Sequence, residues 1–166
     1  MLGRTYEGQN CSVAKTLELI GERWTVLILR EAFLGHRRFD EMAESLGIAR
    51  NVLTARLQRL VEEGVLQRVA YQARPERFEY RLTDKGLDLW PVLVTLMQFG
   101  DRYYAPAGPP LVLTHRDCGG AVDPHRICAA CGARLTARDV RAQAGPGAAS
   151  PEAPARASAL AQTGRR

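Results

Sequence analysis

The sequence predicts an α+β fold: a mainly helical domain with one small β-hairpin, then a small cysteine-rich module and a disordered tail. Three observations carry this expectation. Apolar residues recur at helical spacing from residue 12 to 104, interrupted by one alternating stretch at 66–82. Three of the four cysteines and two of the three histidines crowd into residues 115–132. The last segment, 142–166, is Ala/Gly/Pro/Ser-rich without an apolar period, and such a chain cannot offset the entropy of ordering itself.

The elements follow in order. Val13, Leu17 and Ile20 share one helical stripe, which Gly21 ends. "WTVLILREAFL" (24–34) is apolar almost all round, so its helix should be buried. "RFDEMAESLG" forms a short third helix, with Gly47 suited to a left-handed C-terminal position. "GIARNVLTARLQRLVEEG" sets Leu53, Leu57 and Leu60 on one stripe and stops at Gly64. In "LQRVAYQARPERFEYRL" (66–82) the period becomes two. Val69 and Tyr71 alternate on one strand and Phe78, Tyr80 and Leu82 on the other, leaving Arg68, Arg74, Arg77 and Arg81 off the apolar face or at the tip. "TDKGLDLWPVLVTLMQFGDRYY" reads as a long helix capped by Thr83, in which Pro91 imposes a kink or a tightened start. The expected organisation is a domain over 1–104, a Pro/Gly linker over 105–113, a cysteine module over 114–141 and a tail over 142–166.

The 166 residues suffice for one ordinary core plus a small appendage. No run approaches the ~18 apolar residues of a membrane span, and the first ten residues lack a signal-like apolar region. A cytoplasmic location without membrane contact is the expectation, and clustered cysteines there point to metal rather than to a disulfide framework. The net charge is +5, yet residues 1–105 hold 15 Lys/Arg against 14 Asp/Glu, so bulk charge does not announce a nucleic-acid binder. The local excess is the informative one: seven arginines against four glutamates within 50–81.

A short helix, a turn at Gly47–Ile48, a second helix with an apolar inner stripe and a basic hairpin follow winged helix-turn-helix order. Opposite the leucines lie Asn51, Ala55 and Gln58, flanked by Arg50, Thr54 and Arg59. Asn, Gln and Arg can pair bidentately with base edges, although a polar outer face is equally often only a solvated one. Arg74 and Arg77 at the hairpin tip suit phosphate or the minor groove.

"CSVAKTLELIGERWTVLILREAFLGHRRFDEM" resembles the opening of the HxlR family of bacterial winged-helix transcription regulators. The matches are Cys11, Leu17, Ile20, Gly21, Trp24, the run Leu27 to Arg30, and Arg37-Arg38-Phe39; "GIARNVLTARLQRL" and "RPERFEYRLTDKG" match its recognition helix and wing. The resemblance covers residues 8–104. It implies a regulator that binds double-stranded DNA as a homodimer on a (pseudo)palindromic operator, with the first and last helices of the domain forming the dimer contact. Two positions depart from the pattern. Ala49 replaces the usual N-capping serine, a loss of ~1 kcal/mol, and Glu22-Arg23 replaces a Gly-Lys pair. Some relatives use a cysteine placed like Cys11 as an oxidant or electrophile sensor, and a helix N-terminus with nearby Lys15 would favour its thiolate; the alternative is a thiol that merely packs.

In the cysteine module, His115-x-x-Cys118 and Cys128-x-x-Cys131 form two chelating pairs, and Gly119 and Gly132 follow the cysteines as zinc knuckles require. One His and three Cys make a closed tetrahedral set, which suits structural rather than catalytic zinc. Free thiols, a regulatory disulfide, or His125 in place of His115 are the alternatives. No nucleophile–base pair, phosphate loop or open metal position stands out, so no enzyme is expected. A ribbon surrounded by Arg116, Arg126, Arg134, Arg138 and Arg141 could also serve as a zinc-dependent protein-interaction module.

Overall fold

Helices α1 (Ser12–Ile20), α2 (Thr25–Phe33), α3 (Phe39–Leu46) and α4 (Arg50–Glu62) open the computed structural model, in which Tyr6 and residues 8–149 are described. The tail from residue 150 onward lies outside the described residues. Each helix forms where the apolar period is three to four and ends where glycine takes over. Gly47 stops α3 at φ +61°, ψ +29°, and Gly64 follows α4 at φ +67°, backbone that only glycine adopts without strain. At the other end of α3, Glu41 accepts hydrogen bonds from the N–H groups of Arg37 and Arg38 at 3.1 and 3.0 Å, which fixes where the helix begins.

The core of this first unit, which runs to Leu87, gathers Ile28 and Leu29 of α2, Met42 of α3, Leu53, Leu57 and Leu60 of α4, and Val65 and Leu66 beyond it. Helix α2 buries Thr25, Ile28, Leu29 and Glu31 and half-buries its other residues, in keeping with its apolar circumference.

Glu31 is the exception that a hydrophobic reading passes over. Its carboxylate is 1% exposed. It accepts hydrogen bonds from Arg30 Nε at 2.9 Å and lies 2.6 Å from His36 Nδ1. Burial alone would raise its pKa, but hydrogen bonds from Ser45, Arg30 and His36 and the charge of Arg30 outweigh that and hold it below the ordinary value. The resulting stabilisation is present above the ordinary carboxylate pKa and is lost as pH falls through the lowered one. Glu31→Gln should therefore cost about 1.5–3 kcal/mol near neutrality, the usual worth of hydrogen bonds to a charged group. In acid the two proteins should converge, which urea melts at both pH values will read.

Strands β1 (Leu66–Ala73) and β2 (Glu76–Leu82) form the expected antiparallel hairpin around Arg74–Pro75. The register departs from the expected faces. Leu66, Arg68 and Ala70 pair with Leu82, Tyr80 and Phe78, whereas Val69 pairs with Glu79, and a bulge falls between Ala70 and Gln72. Directly opposed residues share a face, so Arg68, not Val69, lies with Phe78. The Arg68 guanidinium is 3.5 Å from the Phe78 ring centroid, where a cation can cover an aromatic face.

The single long helix expected after Thr83 is two. Thr83 Oγ1 accepts from the Gly86 N–H at 3.1 Å and caps a short α5 (Asp84–Leu87). Helix α6 (Trp90–Tyr104) then starts afresh with Pro91 in its first turn, where a missing N–H costs nothing.

The second unit begins at Asp88 and takes in α6 together with the C-terminal segment. The stretch expected as a linker is structured too. Strand β3 (Leu111–His115) starts inside it and pairs antiparallel with β4 (Val140–Ala144), which itself extends into the stretch expected as tail. Gly145 and Gly147 donate from their N–H groups to the carbonyls of Pro110 and Pro109, both at 3.1 Å. A 3₁₀ turn at Pro146–Ala149 follows, and these bonds satisfy a Pro-rich backbone that composition alone presents as a spacer.

Candidate nucleic-acid interface and metal centre

The α3–turn–α4 corner sets the first site. Ala49 is extended (φ −61°, ψ 134°) and offers no side-chain cap, so the opening N–H groups of α4 are left to solvent or to an anion. With Leu53, Leu57 and Leu60 fully buried, helical geometry turns Arg50, Asn51, Thr54, Ala55, Gln58 and Arg59 outward, and all six are exposed.

Several of these arms already have partners. Arg50 bonds Asp40 at 2.9 Å and lies 4.7 Å over the Phe39 ring. Gln58 donates to Glu62 at 2.9 Å, and Arg59 pairs with Glu63 at 2.9 Å. Thr54 Oγ1 donates back to the Arg50 carbonyl. Asn51 makes no side-chain hydrogen bond among the described residues. The carboxylates of Glu62 and Glu63 make the C-terminal end of α4 unfavourable for a polyanion, so the helix offers its N-terminal half.

At the wing, Arg74 and Arg77 are exposed at the tip, and the Arg74 carbonyl accepts from Gln72 Nε2 at 3.1 Å. The segment before α3 adds a one-residue third strand. Arg38 bridges to Glu79, Tyr80 N–H donates to the Arg37 carbonyl at 2.7 Å, and the Arg38 guanidinium lies 4.8 Å from the Tyr71 ring centroid. Arg37 and Arg38 are thus exposed cations at the wing's base. Sequence reasoning had them only as family matches; their place beside the wing depends on a long-range bridge. The unusual Glu22 also finds a purpose, since its carboxylate pairs with Arg56 of α4 at 2.8 Å and ties the α1–α2 turn to that helix. Arg23 lies 5.7 Å from the Trp24 ring centroid.

The second site lies between β3 and β4. The ligand atoms of His115, Cys118, Cys128 and Cys131 all fall within 4.8 Å of one another. His115 Nδ1 is 3.3 Å from Cys118 Sγ and 3.4 Å from Cys131 Sγ, and the Cys118 and Cys128 sulfurs are 3.3 Å apart. His115 Nε2 faces Asp117 at 3.5 Å, so Nδ1 is the nitrogen turned to the cluster. Gly119 and Gly132 both take φ +73°, which lets the chain fold back behind each cysteine. At Gly120 a Cβ would sit 2.5 Å from Cys128 Sγ, so only glycine leaves the sulfur room.

The donor chemistry fits a cation. Hydrogen bonds from the backbone N–H groups of Cys131 and Ala130 bring the Cys128 thiol down to about 6, against the cost of its burial. The Gly120 N–H lowers the Cys118 thiol, but the hydrogen bond with Cys128, burial and the hydrogen bond with Cys131 together raise it above its ordinary value. A soft N/S set of four with this spacing can hold a metal ion. His125 is not part of it: among the described residues the cluster contains His115 alone of the histidines, and His125 N–H is bonded to Asp123.

A two-helix corner, an exposed second helix and a basic hairpin define a winged helix-turn-helix protein. Residues 19–107 match the family model described as HxlR-like helix-turn-helix. The chain belongs to the HxlR family of transcription regulators. It is 53% identical over 147 residues to an uncharacterized HTH-type transcriptional regulator of Mycobacterium tuberculosis, Rv3095, covering 88% of this chain and 92% of the relative. A match of that extent runs beyond residue 107 and through the cysteine cluster. An uncharacterized HTH-type regulator of Synechocystis, sll1512, is 35% identical over 58% of this chain and 72% of its own length. Among solved structures, PA1607, assigned as a transcription factor, superposes with TM-score 0.65 at 44% identity, over 81% of this chain and 94% of that one. The redox regulator HypR in its oxidized form gives TM-score 0.52 at 30% identity, over 55% of this chain and 96% of HypR. The protein is a DNA-binding transcription regulator and not an enzyme. No helix among the described residues is long and apolar enough to cross a membrane.

Proposed function

We propose that the protein regulates transcription as a homodimer bound to a (pseudo)palindromic operator. The N-terminal half of α4 reads bases through Arg50, Asn51, Thr54 and Ala55, with Gln58 and Arg59 reaching in from the third turn. Arg74 and Arg77 hold phosphate or the minor groove. The observation that carries this reading is the exposed outward row on α4, polar except at Ala55 and backed by a fully buried leucine stripe. Dimerisation is supported by apolar side chains left exposed at helical spacing: Val13 and Leu17 on α1, and Val92, Leu96, Phe99 and Tyr103 on α6. A second copy is the occupant that family membership suggests for these faces. Half-sites then fall about one helical turn (~10 bp) or a multiple apart. The site of action is the cytoplasm, where the chromosome lies and where reducing conditions keep thiols available to metal.

Sedimentation and shift assays test the reading together. Asn51→Ala should cost about 1–3 kcal/mol on the cognate site and relax preference at one position. Gln58→Ala should cost less, because Gln58 must first leave Glu62. Arg77→Ala should weaken cognate and random DNA alike. A monomer that binds no duplex, or equal sequence-independent losses for all three variants, would overturn the assignment.

We further propose that His115, Cys118, Cys128 and Cys131 hold one structural zinc ion, which when bound would staple β3, β4 and the loops between them. The ribbon would stiffen the C-terminal unit and offer Arg116, Arg126, Arg134, Arg138 and Arg141 to a partner or to DNA. A second functional reading, redox sensing through Cys11, draws on the likeness to HypR. Cys11 is exposed at the start of α1 and makes no side-chain capping bond. Under that reading a mild electrophile should release DNA from the wild type, and Cys11→Ser should bind DNA yet ignore the treatment.

A further inference from the structure

The four ligands of the cluster are not equally sheltered. Cys128 is 1% exposed and His115 7%, whereas Cys118 and Cys131 are exposed. The exposed Cys118 sulfur stands 3.3 Å from the sheltered Cys128 sulfur. Solvent therefore reaches both Cys118 and Cys131, and behind Cys118 the buried Cys128 sulfur waits in close contact.

Resting on the reading of this cluster as a zinc site, we propose that Cys118 is an oxidation site for hydrogen peroxide, with Cys128 as its resolving partner, and that oxidation expels the metal. A metal-bound sulfur is deprotonated and keeps a lone pair for attack. The Cys118 thiolate attacks one peroxide oxygen and breaks the O–O bond, giving a sulfenic acid and hydroxide. Cys128 sulfur then attacks the Cys118 sulfur and displaces the second hydroxide. Two protons convert the hydroxides to water. The two sulfurs are each oxidised by one electron, the peroxide is reduced by two, and a Cys118–Cys128 bond has formed. Only His115 and Cys131 then remain as ligands, too few for a tetrahedral zinc site, so the ion departs as Zn²⁺.

This seat of redox chemistry is distinct from Cys11. Every other cysteine of the chain belongs to the cluster, so Cys11 has no thiol of its own chain to pair with unless a metal ligand is given up. The cluster, by contrast, holds its attacking and resolving sulfurs together.

The experiment uses the full chain, purified reduced, with its zinc content measured first. Hydrogen peroxide is added in small molar excess, release is followed with a chromophoric zinc chelator, and the remaining thiols are alkylated for mass-spectrometric mapping. The expected result is release of about one equivalent of zinc, a Cys118–Cys128 bond, and recovery on adding a thiol reductant with zinc. Cys11→Ser should release zinc like the wild type. Cys118→His, which keeps four N/S ligands but removes the attacked sulfur, should retain its zinc under the same peroxide. Stoichiometric zinc that stays bound through the treatment would overturn the oxidation site and leave the zinc reading standing. Protein free of zinc in the reduced state would overturn both. Release with a Cys128–Cys131 bond would overturn the role given to Cys118, and release with Cys118 only over-oxidised would overturn the role given to Cys128.

Discussion

Affinity for operator DNA should fall about 10³-fold between ~50 and ~200 mM salt, and the structure indicates why the fall should not be steeper. Each phosphate neutralised by a protein cation releases counterions, so log K falls against log salt with a slope of about −0.9 per contact. On the proposed DNA-binding face, Arg74 and Arg77 at the wing tip and Arg37 at its base can meet phosphate without first breaking an ion pair among the described residues. Arg50 and Arg59 are held by Asp40 and Glu63, both at 2.9 Å. Trading one carboxylate for one phosphate releases fewer counterions than a bare arginine does. Three contacts per protomer give about six for the dimer and a slope near −5, the low end of the range for six to ten contacts. Arg77→Ala should make the slope shallower by about two, one contact from each protomer. Asp40→Ala should steepen it slightly by freeing Arg50. Fluorescence anisotropy across a salt series reads all of this. A slope indistinguishable from zero would remove the phosphate-binding role of the wing, and one near −10 would show that the internal pairs open completely.

What could be read from the sequence, and what could not, divides along the range of the interactions involved. The leucine stripe of α4 and the stops at Gly47 and Gly64 are local, and the helical period shows them directly. The His115–Cys118–Cys128–Cys131 cluster was legible for the same reason, because knuckle spacing and the following glycines are short-range requirements. The faces of the wing were not. A bulge next to Tyr71 changes the alternation, and Arg68 takes an apolar-face position because the Phe78 ring can accept a cation. Binary patterning has no symbol for either. The strand pair β3–β4 joins residues 111–115 to 140–144, and "VRAQA" carries too few apolar side chains to stand out in an Ala-rich stretch. Its identity as a strand comes from the partner, not from its own composition. The same holds for Arg37 and Arg38, which the chain places beside the wing only through the bridge to Glu79.

Cys128→Ala should unfold the ribbon while leaving the helices α1 to α4 and the hairpin intact. Between β3 and β4 the strongly buried side chains are few: Thr114, His115, Cys128, Leu135 and Val140. Two of these five, His115 and Cys128, belong to the proposed metal site, and so small a core supplies too little burial to order its own backbone. Metal binding in zinc-finger peptides contributes roughly 10–16 kcal/mol near neutral pH, far more than the rest of this segment can offer. Substituting the buried cysteine removes a ligand and opens a cavity at the centre of the site. The first unit keeps its own core in Ile28, Met42, Leu53, Leu57 and Leu60, so it has no need of the ion. Helix α6 is the element to watch, because Gln98 Nε2 donates to the Asp123 carbonyl at 3.1 Å and links the helix to the ribbon loop. Hydrogen exchange should therefore show lost protection across residues 111–149, a partial loss near Gln98, and none over Ser12–Leu82. In the wild type, acid should do the same: protons compete with the metal for thiolates and imidazole, so zinc affinity falls as pH drops toward about 5. Undiminished protection of β3 and β4 in a Cys128→Ala protein shown to carry no metal would mean that the ribbon stands on its own packing, and the structural role of zinc would be lost with it.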